Sequence, residues 1–342
     1  MRDLRFNSIV TFSPTVIIRA LAFIAAFVAG FAPGLTIPAH ARTPYRAYDE
    51  MLRAARLMQR CERLIEARKS SLGLIVDSLD INRTGLIGIE FSAITSTVGD
   101  LPAKRTSTNP DMAALIVREL VAHGVSDTDT VLVSMTGSFP ALNLAVLCAL
   151  SVLDVPAFIM TSLSASSYGA NQENFTWLHM ERLLLDHDLL SHRSDVVTLG
   201  AGSDVGGGLL GEGPGILRAA AAELGYELAE SENYREQREL RRGLRGSPQD
   251  YSLYINIGGN REALGPAGRE LPAGWINPKS AGWKEIRGVK TGAIFDFLKA
   301  GIPVLNLLHV EALAQQYGLP IDPPPLPEPG ESPVYFRKVR NS

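Results

Sequence analysis

The stretch from Thr130 to Ser167 constrains this chain most. It opens TVLVSMTGSFPALNLAVLCAL and reads as an apolar strand, a turn on Gly137 and Ser138, an apolar helix, and a second strand that ends in serines. A strand, helix and strand in that order make a parallel crossover unit. Sheets built from such units bind ligands beyond the carboxyl ends of their strands. Thr136, Gly137 and Ser138 fall at such an end. The helix that follows starts near Pro140, where a missing N–H costs nothing, and its free N–H groups favour an anion.

Three more apolar runs read as strands of the same sheet, giving Val131–Met135, Ala157–Thr161, Val196–Leu199, Ser252–Ile257 and Pro303–Leu308. Helical patterns fall between most of them, at 173–190, 215–224, 292–300 and 311–317. Near-continuous apolar strands alternating with helices predict an α/β fold, Rossmann-like, with a largely parallel sheet and helices on both faces. The expected organisation is a leader over residues 1–41, a single α/β domain over 45–334, and a C-terminal tail over 335–342. Within the domain, residues 44–71 read as an amphipathic helix, 91–110 as a polar stretch, and 261–286 as a Gly- and Pro-rich excursion. The proline-rich segment PPPLPEPGESPVY is expected to lie extended on the surface.

Arg2, Arg5 and Arg19 precede an uncharged apolar run from Ala20 to Ala39, followed by Ala39-His40-Ala41. Small residues in that spacing suit a signal peptidase. The expectation is an exported, periplasmic or extracytoplasmic protein whose hydrophobic segment is either a cleaved signal peptide or an inner-membrane anchor. A net charge of −3 with no basic block argues against a nucleic-acid partner. Cys61 and Cys148 are the only cysteines, too few for a disulfide framework, and Cys148 sits in an apolar helix as a small hydrophobe.

The loops that follow the strands assemble the candidate site. They contribute Thr136, Gly137 and Ser138; the serines from Ser162 to Ser167, Ser166 among them; the GAGSDVGGG loop around Asp204; Gly258, Gly259 and Asn260; and His309. Lys104 and Arg105, flanked by hydroxyl residues, are the candidates for charge recognition, because a guanidinium grips a carboxylate through paired hydrogen bonds. Ser138 as nucleophile with His309 as base is the nominal catalytic pair, but the flanking sequence is not the G-x-S-x-G elbow. The glycine-rich loop lacks the dinucleotide fingerprint, and Asp204 has no neighbours in metal-ligand spacing. The sequence therefore calls for neither a cofactor nor a metal. Asp204 reads as a solvated loop residue.

The strings NRTGLIG, ITSTVGDLPAKRTSTNPDMAALIV, TGSFPALNLAVLCA, SLSASSYGANQENFTWLHME, INIGG and LPEPGE, spread from Met51 to Tyr335, resemble the poly-gamma-glutamate system protein family. The resemblance implies an accessory component of poly-gamma-glutamate synthesis and export at the cell envelope, with the anionic polymer or its synthase complex as partner. A tailoring hydrolase or transferase acting on the gamma-glutamyl amide is the other reading it leaves open. It carries no catalytic residue over to this chain.

Overall fold

The computed structural model describes residues 43–337, and the expectations for the leader at residues 1–41 lie outside them. Over residues 44–337 the chain folds around a main six-stranded sheet, with two small two-stranded sheets beside it. In chain order the elements are α1 (Tyr48–Ser71), β1 (Thr95–Thr97), α2 (Leu101–Ser107), α3 (Asp111–Ala122), β2 (Val131–Thr136), α4 (Pro140–Leu153), β3 (Ala157–Ser162), β4 (Ala165–Ser166), β5 (Asn171–Gln172), β6 (Phe175–Thr176) and α5 (Trp177–Asp186). These are followed by β7 (Val196–Thr198), α6 (Gly213–Glu223), α7 (Tyr234–Arg245), β8 (Leu253–Ile257), α8 (Arg261–Leu264), β9 (Gly274–Ile276), α9 (Gly282–Glu285), α10 (Ala293–Lys299), β10 (Val304–Leu307) and α11 (Val310–Tyr317).

The six-stranded sheet runs β7-β3-β2-β8-β10-β9, with the first five strands parallel and β9 antiparallel at one edge. The five expected strands all belong to it. The chain works outward from β2 through β3 to β7, then returns to the other side of β2 as β8. That reversal opens a crevice between the ends of β2 and β8, the place where sheets of this kind receive ligands.

Alternate residues of the strands enter two separate cores. Val131, Val133 and Ile159 join the larger one with α1, α3, α4, α5 and α11. Leu132, Met160 and Tyr254 join the smaller one with α8 and α10. This two-sided burial explains why every residue of β2 is buried and why its sequence does not alternate. Helix α4 is buried on nearly all sides because α1 and α3 cover it from outside. Cys61 and Cys148 are both unpaired thiols within the larger core.

Three departures from the sequence reading have local causes. The polar stretch 91–110 contains helix α2, started by the Asp100 side chain accepting from the Ala103 N–H at 2.8 Å and by Pro102 in the first turn. The charged segment 234–245 is helix α7, whose Gln237, Arg241 and Arg245 are buried. The end of the proline-rich segment leaves the surface: Val334 and Tyr335 are fully buried, and the Tyr335 hydroxyl donates to Asp111. There the Tyr45 N–H donates to the Tyr335 carbonyl at 2.8 Å, and Pro44 bridges Phe336. Among the described residues, no helix is long and apolar enough to cross a membrane.

Candidate functional site

A cavity of about 480 Å³ opens at the carboxyl edge of the sheet, over the reversal between β2 and β8. Its floor and walls include Lys104, Thr136, Ser138, Ser166, Gly259, Asn260 and His309. Ser162, Ser164 and the Ala201–Ser203 turn also line it. A larger surface groove of about 690 Å³, around Arg68 and His179, has walls mainly from α1, α5 and α6, and no strand of the six-stranded sheet contributes to it.

Gly137 and Gly258 shape the cavity without lining it. A Cβ on Gly137 would lie 2.3 Å from the Leu163 carbonyl, so only glycine lets the turn pass the strand beside it. Gly258 has φ +81°, and a Cβ there would lie 2.5 Å from Thr136 Oγ1. Arg105 does not reach the cavity. It points across α2, donating to the carbonyls of Leu79 (2.8 Å) and Ser78 (3.1 Å) and pairing with Asp322 at 3.3 Å. Successive helical residues point about 100° apart, so neighbours in sequence cannot both face the cleft. Arg105 is a clamp between loops, and Lys104 alone faces the site.

Lys104 is 2% exposed. Its Nζ donates to the Ser138 carbonyl and, at 2.8 Å, to Ser166 Oγ, and it lies 3.8 Å from the centre of the Phe139 ring. Burial without a carboxylate in contact pushes the ammonium down to about 7, only partly opposed by Asp100. Ser166 is held against it by a short parallel pairing of β4 with β1, in which Thr97 registers with Ser166. The Ser166 N–H donates to Ser138 Oγ at 2.9 Å, which ties the two serine loops together.

The first turn of α4 adds positive potential. No side chain caps it, and the leading N–H groups of a helix have no partner within the helix. Beside it, the Thr136 hydroxyl is buried and makes no hydrogen bond among the described residues. Arg261 and Arg269 complete the cationic lining, against a single carboxylate, Asp100. The lining is thus net positive in a protein whose net charge is −3.

Behind the serines lies a buried charge network. Asp204 is 1% exposed, not solvated. Its Oδ1 accepts from Ser162 Oγ (2.7 Å), Thr198 Oγ1 (2.9 Å) and Asn260 Nδ2 (2.8 Å), and its Oδ2 from Arg241 at 3.0 Å. Arg241 Nε lies 3.0 Å from a Glu262 carboxylate oxygen. Burial works against the Arg241 charge, but Asp204 and Glu262 outweigh it and hold the guanidinium above its ordinary range. Asn260 is fully engaged, because its Oδ1 also accepts from the Glu262 N–H at 2.7 Å. It braces the floor rather than offering a free amide. The network also secures a strained turn, since Ala201, Ser203 and Asp204 all adopt positive φ near 60°, at about 1–3 kcal/mol each.

Ser138 and His309 share the cavity, but no hydrogen bond joins them; His309 Nε2 instead contacts the Arg269 carbonyl at 3.1 Å. Among the described residues no cluster of His, Cys, Asp or Glu could hold a metal ion. Sequence reasoning missed Asp100, Phe139, Arg261 and Arg269. Asp100-Leu-Pro carried a helix-start signal, whereas nothing local marks the two arginines. Comparisons with protein-family models, curated proteins and solved structures found no match.

Proposed function

We propose that the cavity binds carboxylates of an anionic polymer, within a Rossmann-like scaffold that presents them to the reversal point of the sheet. The observation that carries this reading is the meeting of buried Lys104, the uncapped start of α4 and the unpaired Thr136 hydroxyl in one cleft. Lysine and helix N-terminus both favour an anion, and Arg261 and Arg269 extend the positive lining toward the opening.

Together with the family resemblance, this makes the protein an accessory component of poly-gamma-glutamate synthesis or export. It binds the polymer or its synthase complex at the cell envelope, and its apolar N-terminal segment directs it there. The test is calorimetric titration with gamma-linked glutamate oligomers and with the same oligomers after amidation. Acidic oligomers should bind with an affinity that falls as salt rises, and below about pH 7, where the Lys104 amine is protonated, Lys104→Met should weaken them about tenfold or more, a charge-assisted hydrogen bond contributing roughly 1.5–3 kcal/mol. Equal affinity for the amidated oligomers would overturn the reading.

One observation favours a tailoring enzyme acting on the gamma-glutamyl amide instead. Lys104 Nζ is within hydrogen-bond reach of a cleft hydroxyl, Ser166 Oγ, at 2.8 Å.

A further inference from the structure

We propose that Ser166 and Lys104 form an acyl-transfer dyad, with Ser166 Oγ as nucleophile and Lys104 Nζ as its base, acting on an amide that carries a carboxylate. The inference rests on the carboxylate-binding reading of the cleft and supplies the tailoring reading with residues and roles.

The geometry has the parts such a reaction requires. A serine hydroxyl is a weak nucleophile until a base lies within about 2.6–3.2 Å, and Nζ sits 2.8 Å from Ser166 Oγ. Both line the same cavity. Lysine is an effective base only when its amine is neutral, and the burial of Lys104 favours that form. No other hydrogen bond engages Ser166 Oγ among the described residues, so its proton is free to turn toward the amine. By contrast, Ser138 Oγ accepts from the Ser166 N–H, and Ser162 Oγ donates to Asp204. Of these serines, Ser166 is the one paired with an amine, and the Asp204 carboxylate on Ser162 is itself held by Thr198, Asn260 and Arg241. The charged and titratable groups around the pair are Asp100 at the start of α2, and Arg261, Arg269 and His309 across the cavity.

The steps balance with water as the only co-reactant. Neutral Lys104 takes the Ser166 hydroxyl proton as Oγ bonds to the carbonyl carbon of the amide. The carbon–nitrogen bond then breaks, the leaving amine receives the proton from the Lys104 ammonium, and an ester to Ser166 remains. Water attacks that ester, giving its proton to Lys104 and its oxygen to the released carboxylate, and Ser166 recovers its proton. If an amine attacks in place of water, the same sequence transfers the acyl group. The Thr136 hydroxyl and the first N–H groups of α4 lie at the same end of the sheet, available to the negative charge on the carbonyl oxygen.

A fluorophosphonate probe tests the dyad without any polymer. Incubated with the full chain and mapped by peptide mass spectrometry, it should phosphonylate Ser166, releasing fluoride. The labelling rate of the wild type should rise with pH through about 7, the value toward which burial pushes Lys104. Lys104→Met, with its fold checked by circular dichroism, should label about 10²-fold more slowly or less, the usual contribution of a positioned base. Ser166→Ala should not label at this peptide. A label on Ser138 instead, no label, or a wild-type rate that is flat from about pH 6 to about pH 9 would overturn the proposal. Polymer binding without label would sink the dyad alone; label without polymer binding would sink the polymer assignment alone.

Discussion

Lys104 and Arg241 are both almost wholly buried, at 2% and 1% exposure, one in the wall of the cleft and one a layer behind it. Their partners differ. Arg241 meets two carboxylates, Asp204 and Glu262, so its charge is neutralised where it sits. Lys104 meets a carbonyl, a hydroxyl and an aromatic face. Desolvation penalises both cations, and only the arginine has opposite charge in contact to answer it. The comparison separates framework from function: a buried cation with carboxylate partners locks a structure, whereas one with neutral partners is poised to change its protonation or to receive an anion.

Breaking the framework should have the largest effect. Arg241→Met leaves Asp204 and Glu262 buried and uncompensated, and the expected loss is about 3–5 kcal/mol, the usual cost of removing one member of a buried pair. Denaturant midpoints measure it. Lys104→Met should cost much less near neutral pH, and a loss as large as that of Arg241→Met would erase the distinction.

A pH series sharpens the comparison further. Lys104 is pushed down to about 7 and Lys69 to about 8, both below the 10.5 of an ordinary lysine. Between those values and about 10.5 the unfolded chain binds more protons than the folded one. Stability from these groups therefore rises with pH across that window, by at most about 1.4 kcal/mol per pH unit for each group. Lys104→Met should flatten the part of the rise nearest pH 7 and leave the Lys69 contribution. An unchanged slope would show that Lys104 stays charged.

The smallest effect is expected at Arg105. Its ion pair with Asp322 is partly exposed, so Arg105→Ala should cost about 1 kcal/mol or less and leave oligomer affinity unchanged. A loss of affinity matching that of Lys104→Met would return Arg105 to the site.

The sheet was legible because its strands are buried on both faces, so their apolar runs stand out at nearly their full lengths. The approach of the Thr136, Ser166 and Gly259 segments followed from parallel topology alone. What stayed hidden depends on side-chain direction or on non-local pairing. Neither Lys104 nor Arg105 announces which way it points from a seven-residue helix. Helix α7 gives no apolar stripe because its inward face is polar, and Arg241 looks like a surface residue until Asp204 and Glu262 arrive from other segments. Asp204 reads as solvated for the same reason. The edge strand β9 lies within the excursion at 261–286 and exists only by pairing antiparallel with β10.

The hydrogen bond from Tyr45 to Tyr335 and the bridge from Pro44 to Phe336 bring the two ends of this body together. A short linker joining them, with a fresh cut at the exposed turn around Val289, would yield a circular permutant in which β10 precedes β2 along the chain. Folds with adjoining ends tolerate such reconnection. The cleft belongs to the spatial arrangement of its strands, so their reading order could be rotated and the same lysine would still meet the same serine.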